Sequence, residues 1–259
     1  MFFGDTGRQL FGVYHPAATA RAKRTGIVLC YPAPQEYRQA HWAYRKLAQL
    51  LADDGFHVLR FDYFATGDSA GSSIEASLAQ WIQDVATAAT ELRDVAGVSR
   101  ISLVGMRLGA AIAARACALT TPVSDLVLWD PAVTGRAYLE QLDALHASAL
   151  RATRYPQDDS REPNELLGFP TPEALRAAIA EVDLSQEPYG SPSRVFLICA
   201  ADRSEFQRLR GRFEKSGAPF DYAFVEDATL ASGGDLRSDT LLAHRVPAAI
   251  GAYLACHTP

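Results

Sequence analysis

Short unbroken apolar runs alternate with longer amphipathic segments along this chain, and that alternation narrows the possible folds more than any other feature. Gly26–Tyr31 (GIVLCY), His57–Tyr63 (HVLRFDY), Ile101–Gly105 (ISLVG), Leu126–Trp129 (LVLW), Val195–Ala200 (VFLICA) and Tyr222–Val225 (YAFV) read as strands. Their length and apolar content suit strands covered on both faces. His41–Asp53, Leu78–Val95, Leu108–Leu119 and Val246–Cys256 read as helices. The first carries Trp42, Leu47, Leu50 and Leu51 at helical spacing, the second Trp81, Ile82, Val85 and Leu92. Trp42, Trp81 and Trp129 are accordingly expected in the core. Strands alternating with helices predict an α/β fold, with a mostly parallel central sheet and helices on both faces. Ligands of such sheets bind beyond the carboxyl ends of the strands. The segments that matter are therefore Pro32–Tyr37, Phe64–Gly71, Met106–Leu108, Asp130–Pro131, Asp202 and Glu226–Asp239.

One segment interrupts the alternation. Thr134–Ser193 holds helical pieces at Tyr138–Leu150 and Thr171–Val182, joined by connectors such as YPQDDSREPNE. It is too long for an ordinary loop. The expectation is a core formed by residues 1–133 and 194–259, with residues 134–193 inserted as a helical cap over the strand ends.

Composition agrees with one large domain plus an insertion. The chain has 259 residues, 48% of them hydrophobic, enough to bury a full core. A net charge of −5 gives no basic face for nucleic acid. The segment MFFGDTGRQLFGVYHP lacks the apolar core of a signal peptide, and no apolar run is long enough for a membrane span. Cys30, Cys117, Cys199 and Cys256 are scattered, without ligand spacing. The expectation is a reduced cytoplasmic protein with no metal and no cofactor.

The stretch Gly105-Met106-Arg107-Leu108-Gly109 joins a strand directly to an alanine-rich helix. Glycines at those two places permit a sharp strand-to-helix turn, the setting of the G-x-S-x-G nucleophile elbow. Arginine stands where that motif has serine. A literal match, Gly67-Asp68-Ser69-Ala70-Gly71, follows another strand, but GSSIEAS comes next rather than an apolar helix. Ser69 is read as a loop residue.

FDYFATGDSAG, GMRLGA and LWDPAVTGRAYLEQL together resemble the α/β-hydrolase superfamily, most closely its serine-aminopeptidase-like branch. Within that branch the chain is similar to the bacterial exosortase-A-associated hydrolases, some of which lack the elbow serine. The resemblance covers most of the chain. It implies a triad in the order Ser, acid, His. The serine position holds Arg107, which cannot act as a nucleophile. The acid position falls on Asp202, with Asp130 at the alternative place. The loop 226–239 offers no histidine, and the nearest is His244. The His-Gly pair often found after the first central strand is replaced by Pro32 and Pro34, which remove two backbone donors, while the Leu108 N–H remains available beside the elbow.

At a helix N-terminus, an arginine makes an anion site whose fork suits a carboxylate or phosphate. Either Glu36, Asp130 or Asp202 neutralises Arg107 internally, or Arg107 holds a substrate anion while a carboxylate or His244 moves a proton. Tyr31, Glu36, Tyr37, Met106, Leu108 and Asp130 are the expected substrate-binding residues, and Cys30 is the one thiol near enough to replace the serine. The leading expectation is a non-acyl-enzyme activity (hydrolysis, lyase or cyclase chemistry) on a small carboxylate, ester or thioester. The alternative is a catalytically silent pseudohydrolase that binds an acyl ligand or a partner protein. Serine hydrolysis through Ser69 ranks last.

Overall fold

A computed structural model describes residues 1–18, 22–120, 122–152, 164–186, 190–217, 219–227 and 243–257. The strands are β1 (Phe2–Phe3), β2 (Leu10–His15), β3 (Thr25–Cys30), β4 (His57–Phe61), β5 (Arg100–Met106), β6 (Val123–Trp129), β7 (Glu165–Leu166), β8 (Phe169–Pro170), β9 (Arg194–Cys199) and β10 (Phe220–Phe224). The helices are α1 (Pro34–Asp53), α2 (Leu78–Ala96), α3 (Leu108–Ala116), α4 (Gly135–Ala152), α5 (Glu173–Ala180), α6 (Ser204–Ser216) and α7 (Arg245–His257).

Among the described residues eight strands form one sheet in the order β1-β2-β4-β3-β5-β6-β9-β10. Pairing is antiparallel at β1–β2 and β2–β4 and parallel from β4 through β10. Strands β3, β5 and β6 carry almost no exposed side chain, as expected of strands with helices on both faces. The chain runs from β3 to β4 on one side and then crosses to β5 on the other. The switch point therefore lies between the carboxyl ends of β3 and β5, where a ligand crevice is expected.

The sequence reading located the parallel strands and six of these helices but passed over β1, β2, the β7–β8 hairpin and α6. β2 alternates buried and exposed residues, the pattern of a strand near the sheet edge rather than of a fully buried one. Among the described side chains of α6, Phe206, Leu209 and Phe213 are buried, a stripe at i, i+3 and i+7 that the surrounding charges obscure. Helix α1 begins at Pro34, seven residues before the expected start. Proline suits the first helical position because its missing N–H has no intrahelical partner there. The expectation for Trp42 is also corrected. The buried stripe runs through Ala40, Ala43, Tyr44, Leu47 and Leu51, and Trp42 faces solvent with the Arg45 guanidinium 5.2 Å from its ring. Trp81 and Trp129 are core residues.

Within 134–193 stand α4, the β7–β8 hairpin and α5. The two ends of this segment are stitched together. Thr134 bridges Asp183, the Gly135 N–H donates to Val182 O at 2.8 Å, and the Leu184 N–H donates to Val133 O at 2.8 Å. Most of the connector YPQDDSREPNE lies outside the described residues, as does most of the loop 226–239.

Candidate active-site cleft

The turn from β5 into α3 is sharp and strained. Arg107 has φ 55° and ψ −123°, a conformation that costs about 1–3 kcal/mol for a residue with a side chain. Glycines make the turn possible. A Cβ on Gly105 would stand 2.3 Å from the Gly109 carbonyl oxygen, and one on Gly109 would stand 2.2 Å from Tyr31 O. The bare backbones let α3 fold against the ends of both β5 and β3. The turn is fixed from the β6 side as well. The Arg107 N–H donates to Trp129 O at 3.1 Å, and the Ala132 N–H donates to Arg107 O at 3.1 Å. A tight strand-to-helix turn with a strained central residue is the backbone setting that the G-x-S-x-G motif also requires.

The Arg107 side chain is only 3% exposed. Its Nε donates to Glu36 Oε1 at 2.9 Å and its Nη2 to Gln141 Oε1 at 2.5 Å. Its guanidinium carbon sits 5.2 Å from the centre of the Tyr138 ring, and the Tyr138 hydroxyl donates to Glu36 Oε2 at 2.7 Å. Glu36 lies in the first turn of α1, where the helix dipole favours a carboxylate. Burial works to lower the Arg107 pKa, but the Glu36 carboxylate, Tyr138 and Asp130 more than offset it and leave the guanidinium above its ordinary value. Burial, followed by the Glu36 charge, pushes the Tyr138 phenol well up. The cluster is thus a buried ion pair with both carboxylate oxygens engaged.

Outside the pair lies a cleft of about 190 Å³, lined by Arg107, Thr134, Tyr138, Gln141, Arg203 and Glu205 among others. Arg107 immediately precedes α3, Thr134 precedes α4 and Arg203 precedes α6. Residues at three helix N-termini therefore line the cleft, together with two guanidinium groups that are each paired with a carboxylate. Arg203 pairs with Glu205 at 3.5 Å.

The expected substrate-binding residues divide among four places. Glu36 joins Arg107. Tyr31 and Tyr37, with ring centres 4.6 Å apart, line a separate cavity of about 120 Å³ together with Asp62 and Phe169. Met106 and Leu108 are buried in the core, because the last side chain of β5 and the first of α3 point inward. Asp130 is buried, has φ 41°, and accepts from the Ala200 N–H at 2.8 Å. It ties the end of β6 to the end of β9 while its charge bears on Arg107.

Asp202 and His244 stand outside the buried cluster. Asp202 is exposed, accepts from Gln207 Nε2 at 3.0 Å, and bears electrostatically on Cys199 and Tyr222. His244 is exposed at the start of α7. Its N–H, with those of Arg245 and Val246, donates to Asp227 Oδ2, so this segment is arranged as a helix cap. Cys30 is fully buried, and burial, then Cys117, pushes its thiol up, which removes it as a nucleophile. Ser69 Oγ donates to Asp62 O at 2.6 Å and accepts from the Phe11 N–H at 2.8 Å. Ser69 is therefore the loop residue its sequence context suggested.

Tyr138, Gln141 and Arg203 were missed by the sequence reading. Tyr138 and Gln141 are three apart and share one face of α4. That spacing was available, but which face meets the strand ends was not. Arg203 directly follows Asp202, the residue the triad order singles out.

This architecture is the α/β-hydrolase fold. It aligns with Est1E from Butyrivibrio proteoclasticus, solved with ferulic acid, at a TM-score of 0.66 and 14% identity, covering 99% of this chain and 98% of that one. The Pyrococcus furiosus esterase Pf2001 aligns at 0.66 and 16% identity, over 99% and 89%. The bottromycin epimerase BotH, solved with bottromycin A2, aligns at 0.62 and 19% identity, over 100% and 98%. Residues 37–165 match the family described as serine aminopeptidase, S33. No curated protein matches the chain in sequence. The family match and the structural neighbours agree on the α/β-hydrolase fold. Among the described residues no helix is long and apolar enough to cross a membrane, and no group of three or more His, Cys, Asp or Glu is placed to hold a metal.

Proposed function

We propose that this protein is a hydrolase-fold binding protein for a small molecule bearing a carboxylate or acyl group, and that it forms no acyl-enzyme. The observation that carries this reading is the buried pair of Arg107 and Glu36 at the elbow. An arginine cannot attack a carbonyl, and Glu36 has both oxygens engaged, by Arg107 and Tyr138. A ligand anion in the cleft competes with Glu36 for Arg107 and with Glu205 for Arg203. Residues 134–193 act in this reading as a cap, contributing Thr134, Tyr138 and Gln141 to the cleft. Asp202 and His244 carry no step, since both are exposed and one is engaged with Gln207.

A second reading is turnover without a covalent intermediate, with Arg107 polarising a carbonyl and a carboxylate moving a proton. It is favoured by Glu205, which lines the same cleft as Arg107. Mass spectrometry separates the two. Wild type and the paired variant Arg107→Met/Glu36→Gln are incubated with acyl esters, acyl thioesters and dicarboxylates. The binding reading expects unchanged substrates and an unchanged protein mass. Product from wild type alone establishes the second reading. An acyl adduct on the protein overturns both.

A further inference from the structure

Two cavities of opposite character meet at a single side chain. On one side is the polar cleft of about 190 Å³ at Arg107. On the other, between the core and α4, β8 and α5, lies a cavity of about 70 Å³ whose apolar wall includes Trp81, Leu142, Leu166, Leu175 and Ile179. Tyr138 lines both. It is held in place at its two ends, the hydroxyl by Glu36 at 2.7 Å and the ring by the Arg107 guanidinium 5.2 Å from its centre.

We propose that Tyr138 is a specificity wall: it limits the carboxylates held at Arg107 to short chains by closing the polar cleft off from the apolar cavity beneath the cap segment. The inference rests on the reading that the Arg107 cleft binds a carboxylate. The head of such a ligand sits among Arg107, Arg203 and Gln141. The cleft is partly open and offers an alkyl chain only the small apolar surfaces of Ala132, Val133 and Ala137, whereas the enclosed apolar space beside it is the leucine-lined cavity across Tyr138. With Tyr138 in place, added methylenes meet the ring. With the ring gone, the two spaces join and each methylene leaves water for an apolar wall, so affinity rises with chain length.

The test is titration calorimetry of butanoate and hexanoate against wild type, Tyr138→Ala and Tyr138→Phe. Wild type is expected to bind butanoate at least as tightly as hexanoate. In Tyr138→Ala the preference should move toward hexanoate by about tenfold, the effect of two buried methylenes. Tyr138→Phe keeps the ring and should keep the wild-type preference, even where the lost hydroxyl weakens both ligands. Tyr138→Leu, less disruptive to α4, should move the preference in the same direction as Tyr138→Ala. An unchanged preference in the alanine and leucine variants, with butanoate still bound, overturns the wall and leaves the cleft standing. Binding of neither carboxylate by any form overturns the cleft reading and the wall with it.

Discussion

Glu36 and Arg107 lie 71 residues apart in the chain and meet at 2.9 Å in a setting where both side chains are at least 95% buried. One begins the helix after β3 and the other caps the helix after β5, so the pair spans the switch point of the sheet. A buried pair of this kind contributes little net stability, but removing one partner strands a charge.

That asymmetry gives the first prediction. Glu36→Gln should destabilise the protein by about 3–5 kcal/mol, because Arg107 loses its counter-charge. Arg107→Met/Glu36→Gln removes both charges and should recover most of the loss. Urea denaturation of the two variants checks this. Equal losses would show that the ion pair does not govern the cost.

The elbow gives the second. A methyl group on Gly109 would stand 2.2 Å from Tyr31 O and 2.3 Å from Cys30 O, both backbone atoms. Gly109→Ala should therefore fail to yield soluble folded protein or lose several kcal/mol of stability, as overpacking against rigid backbone does. Thermal denaturation and expression yield report it.

Asp84 supplies a pH dependence away from the cleft. It is buried, and burial raises its pKa from 3.8 to about 6, although Gln80, the Phe64 N–H and Arg8 all favour its charged form. A carboxyl whose folded pKa is raised stabilises the fold fully below its unfolded pKa. That contribution is lost as pH rises through about 6. Between about pH 4 and 6 the wild type should lose on the order of 2 kcal/mol relative to Asp84→Asn. Parallel stability curves for the two proteins across that window would refute the assignment.

Ser69 fixes the loop after β4 to β2 through its two hydrogen bonds. Ser69→Ala should cost about 1–2 kcal/mol and change nothing in reactivity. A fluorophosphonate probe should label neither wild type nor the variant. Labelling that disappears in Ser69→Ala would restore the literal motif as a nucleophile.

Much of the fold was legible because fully buried parallel strands leave unbroken apolar runs such as VFLICA and LVLW. What failed was legible only in three dimensions. Trp42 sits in an apolar-looking stretch, but the buried stripe of α1 runs through Ala40, Ala43, Tyr44, Leu47 and Leu51, and Trp42 lies off it. At the site, GMRLG located Arg107, and helix-terminal chemistry called for an acidic partner. Three candidates were open, and only packing selects Glu36. Tyr138 and Gln141 come from a segment whose helix is readable but whose docking face is not. Asp202 and His244 were named from the order of a triad, and with arginine in the nucleophile's place that order carries no positional constraint.

The most direct test of ligand binding at Arg107 is the thermal stability of wild type and Arg107→Met/Glu36→Gln across a butanoate titration. Ligand that binds only the folded state raises Tm with concentration. The wild-type Tm should climb steadily and that of the paired variant should stay flat. An equal climb in both would place the carboxylate elsewhere, and a flat wild-type response would contradict the proposal that the Arg107 cleft holds a carboxylate.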